Sequence, residues 1–431
     1  MTVGFYTLGC KVNQYETQAM REQLSAAGYT PVDPERTHAD VLVVNSCSVT
    51  AESDRKARQL CRRLRRDDPN AVLVLCGCSS QAYPAEAAAL PVDVVLGNAR
   101  RADLLPALEE FFKTRAQVVR VPEHTKQFEP LCISDFDERT RAFVKIEDGC
   151  DRFCSYCIIP TSRGRIRSRD LDSLKAELSA LAAKGFREVV LTGINLTAFG
   201  KESGLDLADA VAVANAVCGI ERVRLGSLEP EDMTDALIEK LKRSEKLCPQ
   251  FHLSLQSGCD ATLKRMHRRY DTALYLQICN NLRAAFPACA ITTDVMVGFP
   301  GETEEEFAAS LAFAKTVGFA RAHVFAYSRR EGTVAAKAPG QISAAEKTRR
   351  SHEMTAVCNQ TRDAFLNAQI GATATLLTEQ NDGTFTEGYT ENYTPVKVRG
   401  VFPPNELLSV RLTAAENGIA LAEPIADRKP V

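Results

Sequence analysis

No apolar run in this 431-residue chain approaches the roughly 18 residues that a membrane-spanning helix needs. Residues 1–16 also lack the basic-then-apolar layout of a secretion signal. The expectation is a cytoplasmic protein with no membrane partner. An excess of one charge is missing too: 53 Lys and Arg face 55 Asp and Glu, for a net charge of -2. A uniformly basic surface is thereby excluded, and any nucleic-acid partner must be met by local clusters of cations. With no low-complexity tract and no short-period repeat, fibrous and solenoid architectures are excluded as well.

What is present is an ordinary globular composition, 45% hydrophobic and 25% charged. The length implies two or three domains. Fifteen cysteines in a chain without a secretion signal read as reduced thiols or metal ligands rather than a disulfide framework.

Along the first third, apolar runs at 3–8, 40–44, 71–75 and 92–96 alternate with amphipathic stretches at 15–27, 51–66 and 82–90. That pattern predicts an open parallel α/β domain over 1–129, followed by a connector at 122–137. A second α/β series has strands at 143–146, 188–191, 222–225, 251–255, 291–297 and 322–327, with helices at 171–184, 233–242, 272–286 and 304–317. Six such units over 136–369 predict a partial (β/α)6 barrel with its chemistry at the carboxyl ends of the strands. After a helical stretch at 344–368, short Thr-, Val- and Tyr-rich runs with an Asp382-Gly383 hairpin signal predict a small C-terminal β-barrel of the OB type over 370–431, with about five strands.

The strongest motif is Gly149-Cys150-Asp151-Arg152-Phe153-Cys154-Ser155-Tyr156-Cys157, directly after a predicted strand. Three thiolates on one tight loop can hold three irons of a cubane cluster and leave the fourth iron open to a small ligand. The alternatives are a structural zinc or three unconnected thiols, although zinc calls for a fourth nearby Cys or His and none follows. A second set recurs in the N-terminal domain, where Leu8-Gly9-Cys10, Asn45-Ser46-Cys47 and Cys76-Gly77-Cys78 each place a cysteine just past a strand, behind one small residue. Parallel strand ends open onto one crevice, so Cys10, Cys47 and Cys78 can converge on another cluster; taken singly, each also reads as a small buried hydrophobe. Cys76 lies inside its strand, which favours Cys78. Cys61, Cys132, Cys218, Cys248, Cys259, Cys279, Cys289 and Cys358 have no such spacing and read as packing residues.

The CxxxCxxC loop with an aromatic residue, Tyr156, before its last cysteine resembles the signature of radical S-adenosylmethionine enzymes. That resemblance implies a cluster whose unique iron binds S-adenosylmethionine and cleaves it to a 5′-deoxyadenosyl radical. Both cysteine sets together resemble the methylthiotransferase family. The match is carried also by Thr7-Leu8-Gly9-Cys10-Lys11-Val12-Asn13-Gln14, Asn45-Ser46-Cys47-Ser48-Val49-Thr50, Gly77-Cys78-Ser79-Ser80-Gln81, Ser254-Leu255-Gln256-Ser257-Gly258, Val297-Gly298-Phe299-Pro300-Gly301-Glu302-Thr303 and Tyr327-Ser328. It implies two 4Fe-4S clusters, S-adenosylmethionine, and a C-terminal TRAM domain that binds RNA. Around the cofactor, the strand-end residues Thr192, Gly193, Asn195, Ser227, Glu229, Asp294 and Val297 are expected to contact S-adenosylmethionine, although such residues also cap helices.

For RNA, Arg163, Arg165, Arg167 and Arg169 alternate after the cluster loop and, if extended, offer a row of guanidiniums to phosphates. A second basic group (Arg55, Lys56, Arg58, Arg62, Arg63, Arg65, Arg66) and a third (Lys264, Arg265, His267, Arg268, Arg269) follow the same logic, the second also reading as a solvated helix face. The C-terminal domain departs from the expected RNA grip, with five Lys or Arg against eight Asp or Glu from 371 onward. Phe385, Tyr389 and Tyr393 can stack on a base, or fill the small barrel's core.

Within the family, Cys10-Lys11-Val12-Asn13 resembles the threonylcarbamoyladenosine enzymes more than those for isopentenyladenosine or a ribosomal-protein aspartate. The function implied is methylthiolation of carbon 2 of threonylcarbamoyladenosine at tRNA position 37, with the anticodon stem-loop, a reducing flavodoxin or ferredoxin and an unidentified sulfur donor as partners. A non-catalytic RNA-binding redox sensor is the alternative of another class. The carboxylate on a threonylcarbamoyl group calls for a cation at the barrel mouth, with Arg163 and Arg329 the first candidates.

Overall fold

The computed structural model describes residues 1–136 and 140–425. Asp137 of the predicted connector, and Arg428 and Lys429 of the C-terminal charge count, lie outside the described residues. Among the described residues no helix is long and apolar enough to cross a membrane.

Val41–Ser46 and Val72–Gly77 are buried at every position, as in strands covered on both faces. They belong to a six-stranded parallel sheet in the order Thr30–Val32, Thr2–Thr7, Val41–Ser46, Val72–Gly77, Val94–Leu96, Val118–Arg120. Helices Lys11–Ala26 and Leu104–Thr114 close one face, with Met20, Leu24 and Leu108 over Val3, Val43 and Val74. Helix Ala51–Asp67 closes the other over Leu42, Val44 and Leu73. The chain reverses its direction across the sheet between Thr2–Thr7 and Val41–Ser46, the kind of switch point that leaves a crevice at the carboxyl ends. The two short edge strands and helix Leu104–Thr114 were not expected from the sequence. The helix expected over 82–90 is broken into Cys78–Ala82 and Pro84–Ala88, because proline lacks the N–H that would continue the first.

The central strands are Arg141–Lys145, Glu188–Thr192, Arg222–Leu225, Gln250–Leu253, Ala290–Val297 and Arg321–Ala326, all parallel. The third continues past Gly226 as Ser227–Leu228 to pair with the fourth. Among the described residues no pairing joins the first strand to the last, so the barrel is partial. Helix Lys11–Ala26 packs beside the first strand, and helix Ala344–Asn367 packs beside the last. Along Ala290–Val297, Ile291, Val295 and Val297 enter the core between sheet and helices, while Thr292 and Asp294 face the interior.

The C-terminal strands Thr373–Asn381, Phe385–Tyr389, Pro395–Arg399, Leu407–Glu416 and Ile419–Pro424 form a closed barrel. Its Asp382-Gly383 turn is held by Asp382 Oδ1, which accepts the N–H groups of Thr384 and Phe385. This barrel sits at the amino ends of the central strands. Arg222 donates to the Tyr389 and Thr375 carbonyls, Arg224 to the Glu391 carbonyl at 2.9 Å, and Arg141 pairs with Glu379 at 2.5 Å.

All three arginines surround Glu188, which is fully buried. Burial raises its carboxyl, but Arg224, Arg141 and Arg222 prevail and lower it from an ordinary 4.5 to about 2. A carboxylate so depressed stabilises the fold above its unfolded pKa and loses that contribution as pH falls through the folded one. The shift is worth ~3 kcal/mol at neutral pH. Glu188→Gln is therefore expected to be less stable than the parent at pH 7, with the gap closing as pH falls toward 2. Urea unfolding across that range checks it, and a gap independent of pH would contradict the assignment.

Candidate active site

The N-terminal triad is built by two glycines. Gly9 has φ +105°, and a Cβ there would meet Cys47 Cβ at 2.6 Å and its Sγ at 2.7 Å. Gly77 has φ +102°, and its Cβ would strike the Ser46 carbonyl at 2.4 Å. Only residues without a side chain let the loops after the first and fourth strands close over Cys47. Asn13 ties this corner by donating to the Leu8 and Ser46 carbonyls at 2.7 and 2.9 Å. Burial pushes the Cys47 thiol up to about 12, and the neighbouring Cys78 and Cys10 sulfurs add to it. Cys10 is exposed, and its sulfur lies within electrostatic reach of Cys78. The three sulfurs therefore share one electrostatic neighbourhood at the sheet's switch point. Cys76 points the other way, into the core against Met20. Cys76→Ala is expected to cost only ~1 kcal/mol, as a small core truncation. Cys78→Ala is expected to remove the N-terminal cluster's absorbance in reconstituted protein; the reverse outcome would mean that the wrong cysteine has been placed in the triad.

The second triad follows strand Arg141–Lys145. Gly149, with φ +93°, lies so close to Arg165 that a Cβ would come within 2.0 Å of its carbonyl oxygen, and Cys150 N–H donates to the Gly164 carbonyl at 3.0 Å. Ser155 anchors the loop to Met266 and Arg265. Cys154 Sγ accepts from Arg268 Nη1 at 3.3 Å, and Asn195 Nδ2 approaches Cys150 Sγ at 3.9 Å. Burial and the adjacent Cys154 sulfur push Cys157 up to about 12. Among the described residues no three His, Cys, Asp or Glu side chains stand close enough to share one metal ion. All 15 cysteines are free thiols. Cys132 and Cys218 are exposed rather than packed, which corrects that expectation, while Cys61, Cys248, Cys279, Cys289 and Cys358 are buried.

The expected arginine row does not exist as a surface. Arg163 closes the short helix Ile159–Arg163 and is fully buried, and Arg167 and Arg169 are also buried. Only Arg165 is exposed, its guanidinium over the Phe153 ring. Arg163 donates to Cys78 Sγ at 3.3 Å, Glu16 Oε1 at 2.9 Å, Asp148 Oδ1 at 3.0 Å and Asn13 Oδ1 at 2.8 Å. Arg167 meets Asp148, and Arg169 meets Glu177. Arg163 thus joins the loop of one triad to a ligand of the other. Arg268, read from sequence as one of a surface cluster, is also buried, bridging Cys154 and Glu229. The basic group on helix Ala51–Asp67 is a solvated face, with Arg55 on Glu52 and Arg65 on Asp93. Arg329 is exposed, its Nε donating to the Ala336 carbonyl at 2.8 Å.

Beside Cys10 of the N-terminal triad lies a cavity of about 530 Å³, lined by Cys10 and Lys11 from one side and by Thr192, Gly193, Ser227 and Asp294 of the barrel. Gly193 packs on buried Glu147, whose Oε2 accepts the Ile194 and Asn195 N–H groups at 2.8 and 2.7 Å. Those two amides are thus already engaged, and the segment offers its carbonyls and side chains to a ligand. The other Glu147 oxygen makes no hydrogen bond among the described residues. Tyr156 packs edge-on against Phe299 with centroids 6.2 Å apart, inside the barrel. Val297 points away from the cavity into the outer core, so its side chain is not placed for cofactor contact. Tyr389 and Tyr393 stack on each other at 4.4 Å beneath Arg141, which commits them to the contact between barrels rather than to a free base platform. Tyr393 also reaches the cavity wall.

Residues 144–314 match the radical SAM superfamily, and residues 2–97 match Uncharacterized protein family UPF0004. The threonylcarbamoyladenosine tRNA methylthiotransferase of Bacillus subtilis is 38% identical over 93% of this chain and 90% of its own length. That of Thermotoga maritima is 41% identical over 81% and 80%. The tRNA-2-methylthio-N(6)-dimethylallyladenosine synthase of Clostridium botulinum is 34% identical over 82% and 80%. Among solved structures, the radical S-adenosylmethionine methyltransferase TsrM of Kitasatospora setae superposes with a TM-score of 0.57 at 14% identity, covering 78% of this chain and 77% of that one, a likeness of fold.

Proposed function

Since this chain belongs to the methylthiotransferase family of radical S-adenosylmethionine enzymes, we propose that its two cysteine triads and the cavity beside Cys10 form one active site. The protein is a tRNA methylthiotransferase acting on threonylcarbamoyladenosine, and it uses two 4Fe-4S clusters and S-adenosylmethionine. Cys150, Cys154 and Cys157 would hold one cluster, and Cys10, Cys47 and Cys78 the other. When bound, these groups supply the one-electron, sulfur and methyl chemistry that an unactivated aromatic C–H requires and no side chain possesses.

The chain's own residues position and insulate. Arg268 donates to Cys154 and Arg163 to Cys78, so each triad has a cationic N–H aimed at one sulfur. Hydrogen bonds to sulfur favour the thiolate over the thiol and stabilise the anionic cluster. Glu147 fixes the 193–195 turn beside Cys150, and Thr192, Asn195, Ser227, Glu229 and Asp294 are the groups that would orient S-adenosylmethionine. The adenosine at position 37 would enter the cavity from the anticodon loop. Three domains, 1–129, 136–369 and 370–431, a flavodoxin or ferredoxin reductant and a cytoplasmic location complete the reading.

The observation that carries the substrate choice is the cavity lining, which includes Lys11, Gln14, Gln250, His252 and Arg321. A dimethylallyl group would be served by apolar walls. Anticodon stem-loops bearing threonylcarbamoyladenosine, isopentenyladenosine or plain adenosine decide between them. Methylthiolation of the first alone is expected; equal turnover on plain adenosine, or preference for the isopentenyl form, would overturn it.

A further inference from the structure

The cavity beside Cys10 has an unbalanced charge. Among the described residues Asp294 is the one carboxylate lining it, and it is engaged by His252 Nε2 at 3.4 Å. Lys11 and Arg321 line the same cavity, and neither has a carboxylate within ion-pair distance among the described residues, although Lys11 lies 5.8 Å over the Phe143 ring. The other nearby cations are committed: Arg141 and Arg224 surround Glu188. His323 lies where both fields meet, its protonated form disfavoured first by burial and then by Arg321 and Lys11 against the pull of Asp294. Its imidazole lines the same cavity as the two cations. An anionic ligand entering this cavity would meet both cations without displacing a carboxylate from either.

We propose that Lys11 and Arg321 hold the carboxylate of the threonyl moiety, with His323 beside them, and so select threonylcarbamoyladenosine over other adenosines. The inference rests on the function proposed above and names the side chains that read its substrate. It also replaces Arg163 and Arg329 as candidates. Arg163 is saturated by Glu16, Asp148 and Asn13, and Arg329 is not among the residues lining the cavity. The ammonium and the guanidinium approach from different elements, the first residue of helix Lys11–Ala26 and the last barrel strand, so the site is complete only when the two α/β units are packed together.

The test compares stem-loops carrying threonylcarbamoyladenosine with the same RNA as its neutral methyl ester, bound to full-length reconstituted enzyme. The parent is expected to prefer the free acid. Lys11→Met and Arg321→Met are each expected to reduce that preference by about ten- to a hundredfold, the range for losing a hydrogen bond to a charged group. Because Lys11 adjoins Cys10, iron content is measured in each variant, and Arg321→Met keeps the test decisive if Lys11→Met loses a cluster. Lys113→Met, on the exposed end of helix Leu104–Thr114, serves as control and should keep the parent's ratio. Equal weakening on acid and ester would give the two cations to the RNA backbone and overturn the inference, as would an unchanged preference in both variants. A parent enzyme inactive on the free acid would instead refute the functional reading itself.

Discussion

Cys154→Ala is expected to abolish reductive cleavage of S-adenosylmethionine while leaving the N-terminal cluster in place, and Cys150→Ala and Cys157→Ala should do the same. Each triad is assembled by its own elements: Gly9, Gly77 and Asn13 on one sheet for Cys10, Cys47 and Cys78, and Gly149, Ser155 and Asn195 on the barrel for the other. Three ligands from one loop leave no redundancy, so removing one opens a second iron and the cluster is lost. Iron in anaerobically reconstituted protein should fall by about half, as for one of two four-iron clusters. Iron near zero in all three variants would contradict two independently built sites.

The second large effect is at Glu16. Its carboxylate is fully buried and meets Arg101 at 2.8 Å, Lys145 at 2.8 Å and Arg163 at 2.9 Å, all three of them fully buried as well. Burial alone would raise the Glu16 carboxyl, but these cations hold it well below the usual range. Glu16→Ala leaves three cations sharing Asp148 and Glu129, and breaking a buried pair in this way costs about 3–5 kcal/mol. Since Glu16 sits on helix Lys11–Ala26 while Lys145 and Arg163 belong to the barrel side, the loss should also loosen the packing of the two units and Arg163's hold on Cys78. Urea unfolding measures the first effect, and the absorbance of the N-terminal cluster the second. A loss below about 1 kcal/mol, the scale of a surface pair, would mean that the network is hydrated.

The cysteines were legible because their signal is local. A glycine before a cysteine at the end of an apolar run permits a positive φ and a sharp exit from the sheet, and position separates the two cysteines, since Cys76 lies within strand Val72–Gly77 and Cys78 just past it. The arginines were not. Arg163 finds Glu16 across 147 residues of sequence, and Arg268 finds Cys154 across 114. Nothing near either residue announces a buried carboxylate or a thiol, so alternation was read as a surface row. The chain there is a five-residue helix followed by a two-residue strand, Arg167–Ser168, too short to sustain a stripe. The six barrel strands were placed to within two residues because each carries apolar residues that enter the core between sheet and helices. Lys11 stood in the motif that suggested the substrate, yet Arg321 and His323 escaped notice, since the rule that chemistry sits at the carboxyl ends directs attention away from the start of the last strand.

The central claim, that this enzyme methylthiolates threonylcarbamoyladenosine in tRNA, is tested most directly by mass spectrometry of tRNA nucleosides from cells lacking the protein. The 2-methylthio derivative of threonylcarbamoyladenosine should disappear, threonylcarbamoyladenosine itself should accumulate, and the gene bearing Cys154→Ala should fail to restore the lost nucleoside. Persistence of that nucleoside, or loss of the 2-methylthio derivative of isopentenyladenosine in its place, would contradict the account.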